Sequence, residues 1–324
     1  MHLVVTIDTE EDNWGGYSDA TFSVENIKRI PALQEIFNEH NVIPTYLVTY
    51  PVATNRESIE ILRVILQDGK CEIGMHCHPW STPPFEEDRN THNSMLCNLP
   101  LELQHKKMSV LHEAIKSNFG FSATSFRAGR WGYNGNTAIV LEKLGYRVDT
   151  SITPFTDWSE YQGPDFSKMS PVPYRFNPPE IFTRNQEGEM TEIPATIGYL
   201  QGNYELCNLI DRLLTSQLGR RFHLKGLLNK ARLINKVGLS PEATDSHNMI
   251  KLMNVFMRKK YEVVNMFFHS TSLQAGLSVF VKTKEGEIQF FNRLNEYFAF
   301  TSKAGIKAVK LSEAGKILQG AGNS

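Results

Sequence analysis

Short apolar runs alternate with segments of helical period through the first half of the chain. Leu3 to Asp8, Val42 to Val48 and Cys71 to His76 are strand-like, and between them Ser23 to His40 and Ser58 to Gln67 carry apolar residues at helical spacing. In the first of these helices Ile27, Ile30, Leu33, Ile36 and Phe37 form the expected buried stripe, and Ser23 is the expected N-cap. Strand, helix, strand, helix, strand is the order of parallel strands joined by right-handed crossovers. The pattern continues with a helix near Pro100 to Asn118, a strand near Ala123 to Arg127, a helix near Asn136 to Leu144 and a strand near Tyr146 to Ile152. A distorted (β/α) barrel of parallel strands in a single domain is the expected fold. An open doubly wound sheet is disfavoured, because acids follow the first strand where a glycine-rich phosphate loop would stand. Two segments interrupt the barrel: a polar loop from Pro79 to Leu99, a candidate rim of a substrate cleft, and a mainly helical insert over about 206–260.

Composition narrows the class without choosing within it. The chain has 324 residues, 41% hydrophobic and 21% charged, with a net charge of -1, which is an ordinary globular balance that leaves no global footprint for nucleic acid. Cys71, Cys77, Cys97 and Cys207 form no Cys-x-x-Cys pattern and are expected to be reduced thiols, with Cys77 facing away from its flanking histidines. The first strand begins almost at Met1 with no signal-peptide pattern, and no run approaches the roughly 18 apolar residues of a membrane span, so a cytoplasmic location is expected. Arg220, Arg221, Lys225, Lys230, Arg232 and Lys236 occur with no acid between Asp211 and Glu242. A solvated helix face accounts for such a run; a weak contact of residues 220–236 with an anionic membrane or a phosphate is the sharper alternative.

The chemistry gathers at strand ends. His76 and His78, spaced i, i+2 on extended backbone, point to one side, and so do Asp8 and Glu10 at the end of the first strand. Two carboxylates and two histidines suit a divalent hydrolytic site of the zinc type, whereas a His-x-His pair by itself is as often a surface feature. Arg127 and His269 also end apolar strands, which is where a barrel presents its active site. Taken alone, the first reads as a strand-end salt bridge and the second as a core histidine.

Four stretches resemble, in order, the motifs of the polysaccharide deacetylases, metal-dependent carbohydrate esterases that remove acetyl groups from sugars. Thr6-Ile-Asp-Thr-Glu10 resembles the first motif, Glu72-Ile-Gly-Met-His76 the histidine motif, Ser125-Phe-Arg-Ala-Gly-Arg130 the arginine motif and Phe267-Phe-His-Ser270 the last. The resemblance implies Asp8 as catalytic base, Arg127 as its partner, His269 as general acid, and Glu10, His76 and His78 as ligands of a divalent metal, zinc foremost, with cobalt or nickel as alternatives. Asp8 and Glu10 could exchange roles. The sequence departs from the family where Trp80 stands four residues after His76 in place of the second metal histidine, and where Ala128-Gly-Arg-Trp131 replaces Pro-Pro-Tyr. Asp149 and Asp157-Trp158 fall in the region of the fourth motif, whose acid tunes the acid-histidine. Trp80, Trp131 and Trp158 are candidates to stack on sugar rings.

The implied activity is deacetylation of an N-acetylated or O-acetylated sugar or glycan precursor, with carbohydrate as the partner. Three rivals share the pattern. A metal-independent glycoside hydrolase would pair Asp8 with Asp149 or Asp157. An amidohydrolase of a small cyclic amide would use the same site, and a non-catalytic carbohydrate-binding protein would use the cleft alone.

Overall fold

The computed structural model describes residues 1–12, 22–215 and 234–321. Its strands are β1 (His2–Thr9), β2 (Thr45–Val48), β3 (Glu72–Cys77), β4 (Ser125–Ala128), β5 (Val148–Asp149), β6 (Tyr174–Phe176), β7 (Met190–Glu192), β8 (Ile197–Tyr199), β9 (Lys236–Gly238), β10 (Val263–His269) and β11 (Lys307–Ala308). The helices are α1 (Ile30–Glu39), α2 (Tyr50–Thr54), α3 (Arg56–Gln67), α4 (Leu101–Phe119), α5 (Gly135–Lys143), α6 (Tyr204–Thr215), α7 (Ser246–Arg258), α8 (Lys284–Lys303) and α9 (Leu311–Ala321).

One curled sheet runs in the order β10-β1-β2-β3-β4-β5-β7-β6, with β11 joined to β1. It is parallel from β10 to β7, and β6 closes the edge antiparallel to β7. This is the distorted (β/α) barrel that the alternation of strands and helices predicts. The gap between its two edges is bridged by irregular chain: Ala195 N donates to Ile152 O at 3.0 Å and Thr196 N to Asn265 O at 3.1 Å. The separate β8-β9 pair adjoins that bridge, with Leu239 N donating to Thr196 O and Phe267 N to Leu239 O.

Alternation along each strand divides outside from inside. Leu3, Val5 and Ile7 of β1, Ile73, Met75 and Cys77 of β3, and Val264, Met266 and Phe268 of β10 belong to the main core beneath the helices. The opposite face carries Val4, Leu47, Val148 and Val263 low in the barrel, where they pack with Leu311 and Ala314 of α9 as a floor. Higher on that face, where a barrel would continue its apolar layers, polar residues take over. Thr6, Asp8, His76, Arg127, Asn265 and Ser270 are all buried.

Differences from the sequence reading have local causes. Ser23 is not a helix cap, because its hydroxyl goes to Asp12 Oδ2 at 2.7 Å; the segment starts as a 3-10 turn, Glu25–Arg29, and α1 begins only with Pro31 in its first turn, where a missing N–H costs nothing. The strand expected from Val42 begins at Thr45, after Pro44. The strand expected over Tyr146 to Ile152 is regular only at Val148–Asp149, because the Ser151 N–H turns to its neighbour's side chain, Asp149 Oδ2, at 3.1 Å. In the expected helical segment, α6, β9 and α7 are described, while Arg220, Arg221, Lys225, Lys230 and Arg232 lie outside the described residues. Lys236 does not extend a basic face: its Nζ is held by Asp211 Oδ2 at 3.1 Å and Phe155 O at 2.8 Å. The four cysteines are free thiols, and Cys77 does face the core. Among the described residues no helix is long and apolar enough to cross a membrane.

The rim loop after β3 is anchored from below. Lys107 of α4, fully buried, donates to the carbonyls of Pro79, Thr82 and Pro84 at 2.9, 2.8 and 2.7 Å and pairs with Glu87 at 2.7 Å. One ammonium thus satisfies three backbone acceptors that would otherwise be stranded in a polar loop packed against the barrel.

Candidate metal centre and active site

Strand register brings the predicted residues together. Asp8 at the end of β1 lies beside His269 at the end of β10, and His76 on β3 lies beside Arg127 on β4. The chain then leaves β1 so that Glu10, whose N–H donates to Ser270 Oγ at 3.1 Å, turns back over the strand ends. Glu10, His76 and His78 form a buried group of three ligand atoms within 4.8 Å of one another. His78 Nε2 is 3.4 Å and His76 Nε2 3.7 Å from Glu10 Oε2.

Hydrogen bonds on the far side of each ring fix which nitrogen faces the centre. His76 Nδ1 is 3.0 Å from the Arg127 carbonyl oxygen, which can only accept, so Nδ1 carries the proton. His78 Nδ1 is 2.9 Å from Glu11 Oε1, a carboxylate oxygen that accepts, so in the neutral ring Nδ1 carries the proton here too. Both Nε2 atoms therefore offer lone pairs, and they stand only 3.0 Å apart. Burial lowers His76 to about 3, keeping it neutral. Glu10 is pushed well above the usual carboxylate range by burial and by Asp8, Glu11 and Glu242, and its Oε1 is buried with no hydrogen-bond partner. Facing lone pairs beside an orphaned carboxylate in a surplus of negative charge are a donor set made for a divalent cation, and the residues fit one.

Beside this group sit two charge pairs. Asp8 Oδ1 accepts from Arg127 Nη1 at 2.6 Å, and Arg127 is itself held by Thr6 Oγ1 at 2.6 Å and the Thr150 carbonyl at 3.1 Å. Burial raises the Asp8 carboxyl, but the charge and hydrogen bond of Arg127, with His269, outweigh it and hold the pKa below its ordinary value. The second oxygen, Oδ2, faces His269 Nε2 at 3.7 Å and His76 Nε2 at 3.9 Å. His269 Nδ1 lies 3.0 Å from Glu242 Oε2, and its backbone N–H donates to Glu242 Oε1 at 3.0 Å. Burial pulls the imidazole down, yet the charge and hydrogen bond of Glu242, with Asp8, raise it overall.

A cavity of about 250 Å³ opens over these groups, walled by Met95, Ala128, Arg130, Trp131, Trp158, Tyr161 and Phe280. His269 stacks on Phe280 at 5.3 Å, and Trp131 covers the Arg127 guanidinium at 4.9 Å. The rim loop contributes Met95 to the wall. Trp80 does not line the cavity; it is buried behind the site, stacked on His78 at 4.1 Å, and so braces the His78 ring and offers no platform for sugar.

Glu11 and Glu242 escaped the sequence reading. Glu11 adjoins Glu10, but strand alternation would send it to the other face, and β1 stops at Thr9, before that rule applies. Glu242 stands 27 positions before His269 in irregular chain, with no periodic signal. The acids expected to tune His269 do other work: Asp157 accepts from Ser159 N at 2.9 Å and lines a separate depression, and Asp149 bonds Ser151 and adjoins Glu192 in the barrel interior, where burial raises both carboxyls. Neither lines the cavity with Asp8.

Gly129 shows how closely the site is packed. A Cβ there would stand 2.4 Å from His78 Cδ2 and 2.7 Å from the Cys77 carbonyl oxygen. Gly129→Ala is expected to push the His78 ring from its place at an overpacking cost of about 1–3 kcal/mol, with weaker metal binding. A metal titration giving wild-type affinity would contradict that placement.

No family model matches the sequence, and no curated protein matches it. Solved structures do. One provisionally assigned as a polysaccharide deacetylase from Mycobacterium smegmatis superposes with a TM-score of 0.59 at 15% identity, over 99% of this chain and 90% of that one. A second, provisionally assigned as a glycoside hydrolase/deacetylase from Parabacteroides distasonis, gives 0.59 at 12% identity over 97% and 70%. The 4-alpha-glucanotransferase of Thermococcus litoralis gives 0.55 at 13% identity, with 97% of this chain covering 40% of that one. Identities this low establish likeness of fold, and the fold of this chain is that of the polysaccharide deacetylases, the family its sequence stretches resemble.

Proposed function

We propose that this chain is a metal-dependent hydrolase that removes the acetyl group from an N-acetylated sugar. The observation that carries the reading is the pair of facing Nε2 lone pairs with the orphaned Glu10 carboxylate, set against a base and an acid on either hand. Glu10, His76 and His78 would hold the metal; their mixed nitrogen and oxygen set suits zinc, with cobalt or nickel as substitutes. When bound, the metal supplies Lewis-acid polarisation of the acetyl carbonyl and a lowered pKa for water.

The protein's own groups do the rest. Asp8, kept ionised by Arg127 through Oδ1, takes the proton of the attacking water at Oδ2. Water oxygen bonds to the acetyl carbon, the carbon–nitrogen bond breaks, and His269 gives the departing nitrogen its proton from Nε2, leaving acetate and a free amine. Asp8 Oδ2 and His269 Nε2 are neighbours at 3.7 Å, so base and acid present their reacting atoms side by side. Glu242 positions His269 from behind and favours its protonated form. Trp131 and Trp158 offer faces for a sugar ring. Four free thiols fit the reducing interior of a cell as the place of action.

The test is release of acetate and free amine from an N-acetylated sugar, stopped by a chelator; activity that persists in chelator would support a metal-independent glycosidase-type reaction. Glu242→Gln provides an internal check. His269 acts while protonated, so activity is present below its pKa and lost as pH rises through it. Removing the Glu242 charge lowers that pKa, and the alkaline limb of kcat should move to lower pH. An unmoved limb would remove His269 as the proton donor.

A further inference from the structure

We infer that the cavity receives one N-acetylated sugar end-on, as a free sugar or the terminal residue of a glycan, and that the rim loop bars the interior of a chain. This rests on the deacetylase reading and names the class of its substrate.

A glycan reacts at an interior residue only where it can leave the site on two sides. Here three neighbouring loops are tied into one wall. Strands β3, β4 and β5 are consecutive in the sheet, and the chain after each sends side chains to the cavity: Met95 after β3, Trp131 after β4, Trp158 and Tyr161 after β5. Close to Met95, the Asn98 amide donates in two directions, to His92 O of its own loop at 2.9 Å and across to Gln162 O at 2.8 Å. His92 Nδ1 lies 2.9 Å from Gln162 Oε1. Gln162 meets both partners from the left-handed region, at φ 62°, a conformation that a non-glycine residue keeps only where its surroundings hold it.

The chain after β4 is tied to the same rim. Cys97 N donates to Gly132 O at 3.0 Å, and Asn134 Nδ2 to Cys97 O at 2.8 Å. Packing closes the seam with the chain after β5: a Cβ on Gly163 would stand 2.9 Å from Trp158 Cβ and 3.1 Å from Met95 Cε. A seam with no room for a methyl group has none for a sugar.

At Trp131 the wall crosses to the far strand. Its ring meets Phe267 of β10 at 5.5 Å while covering the Arg127 guanidinium, so the β4 and β10 sides are joined over the barrel interior. Phe280, stacked on His269, lines the cavity from the β10 side. What remains is a recess of about 250 Å³, below the roughly 300–1,000 Å³ of common ligand sites. The exposed rings of its lining, Tyr161 and Phe280, mark the mouth. That is room for one ring with its acetyl group, flanked by the faces of Trp131 and Trp158, with any further sugar left in solvent.

The experiment uses N-acetylglucosamine and its β-1,4-linked dimer and tetramer as probes. Binding is read by tryptophan fluorescence on metal-loaded Asp8→Asn, in which turnover is slow. Affinity should stay level from one sugar to four. A gain of about 10-fold or more, the equivalent of 1.4 kcal/mol from further subsites, would overturn the inference, and so would a failure of every probe to bind. In the second arm the wild type acts on the tetramer and the products are sequenced by mass spectrometry: the free amine should be confined to a terminal residue, and interior amines would overturn the inference. Turnover of the single sugar against the tetramer tells a free sugar from a chain end. Asn98→Ala, which cuts the tie to Gln162, should admit interior residues with metal content unchanged; a terminal-only pattern there would remove Asn98 as the residue that holds the wall. Level affinities with no acetate released from any probe would instead count against the deacetylase reading, so the two failures have different signatures.

Discussion

Asp8→Asn is expected to lower turnover by about 10²-fold to 10⁴-fold, the contribution of a positioned general base, while the chain keeps its metal. The amide cannot take a proton at the position of Oδ2, the oxygen that faces His269 and His76. Metal should be retained because the three-ligand group of Glu10, His76 and His78 does not include Asp8. The substitution also leaves the buried Arg127 charge without its carboxylate. The amide oxygen can still accept from Nη1, so the stability cost should reach at most the lower end of that for a broken buried pair, about 3 kcal/mol. Kinetics and metal content are measured on protein whose fold is checked by circular dichroism. A variant that loses its metal together with its activity would make Asp8 a ligand and exchange its role with that of Glu10.

His76→Ala has the other large effect. It removes one of three protein donors, the one whose ring is locked by the Arg127 carbonyl at 3.0 Å. Metal affinity should fall by more than the roughly 10-fold to 100-fold typical of losing an outer partner, and activity should fall with it. Glu11→Gln makes the graded comparison, because Glu11 touches only the far nitrogen of His78 and its loss should stay within that range. Elemental analysis showing full occupancy in His76→Ala would remove His76 from the centre.

Much of this was legible in the chain because it follows from strand periodicity. Asp8, His76, Arg127 and His269 all sit at or near the C-terminal ends of parallel strands, and apolar runs mark those strands plainly. His78 is readable as a substitute for a histidine four residues on because period two puts it on the same face as His76. What period two does not reach, the sequence hides. Glu242 meets His269 through irregular chain, Trp80 is turned away from the cavity onto His78, and Arg130 enters the wall through a left-handed turn that no alternation rule anticipates. The antiparallel β6-β7 and β8-β9 pairs were likewise unread, each strand being three residues long and too short to show a period.

The central claim is that one divalent ion, held by Glu10, His76 and His78, makes this site a deacetylase. The direct measurement is turnover of an N-acetylated sugar as metal-free protein is titrated with zinc, with bound metal counted in the same samples. Turnover should be absent at the start, rise in proportion to bound zinc and level off at one ion per chain. Full turnover of the metal-free protein, or bound zinc that brings no acetate release, would contradict the account.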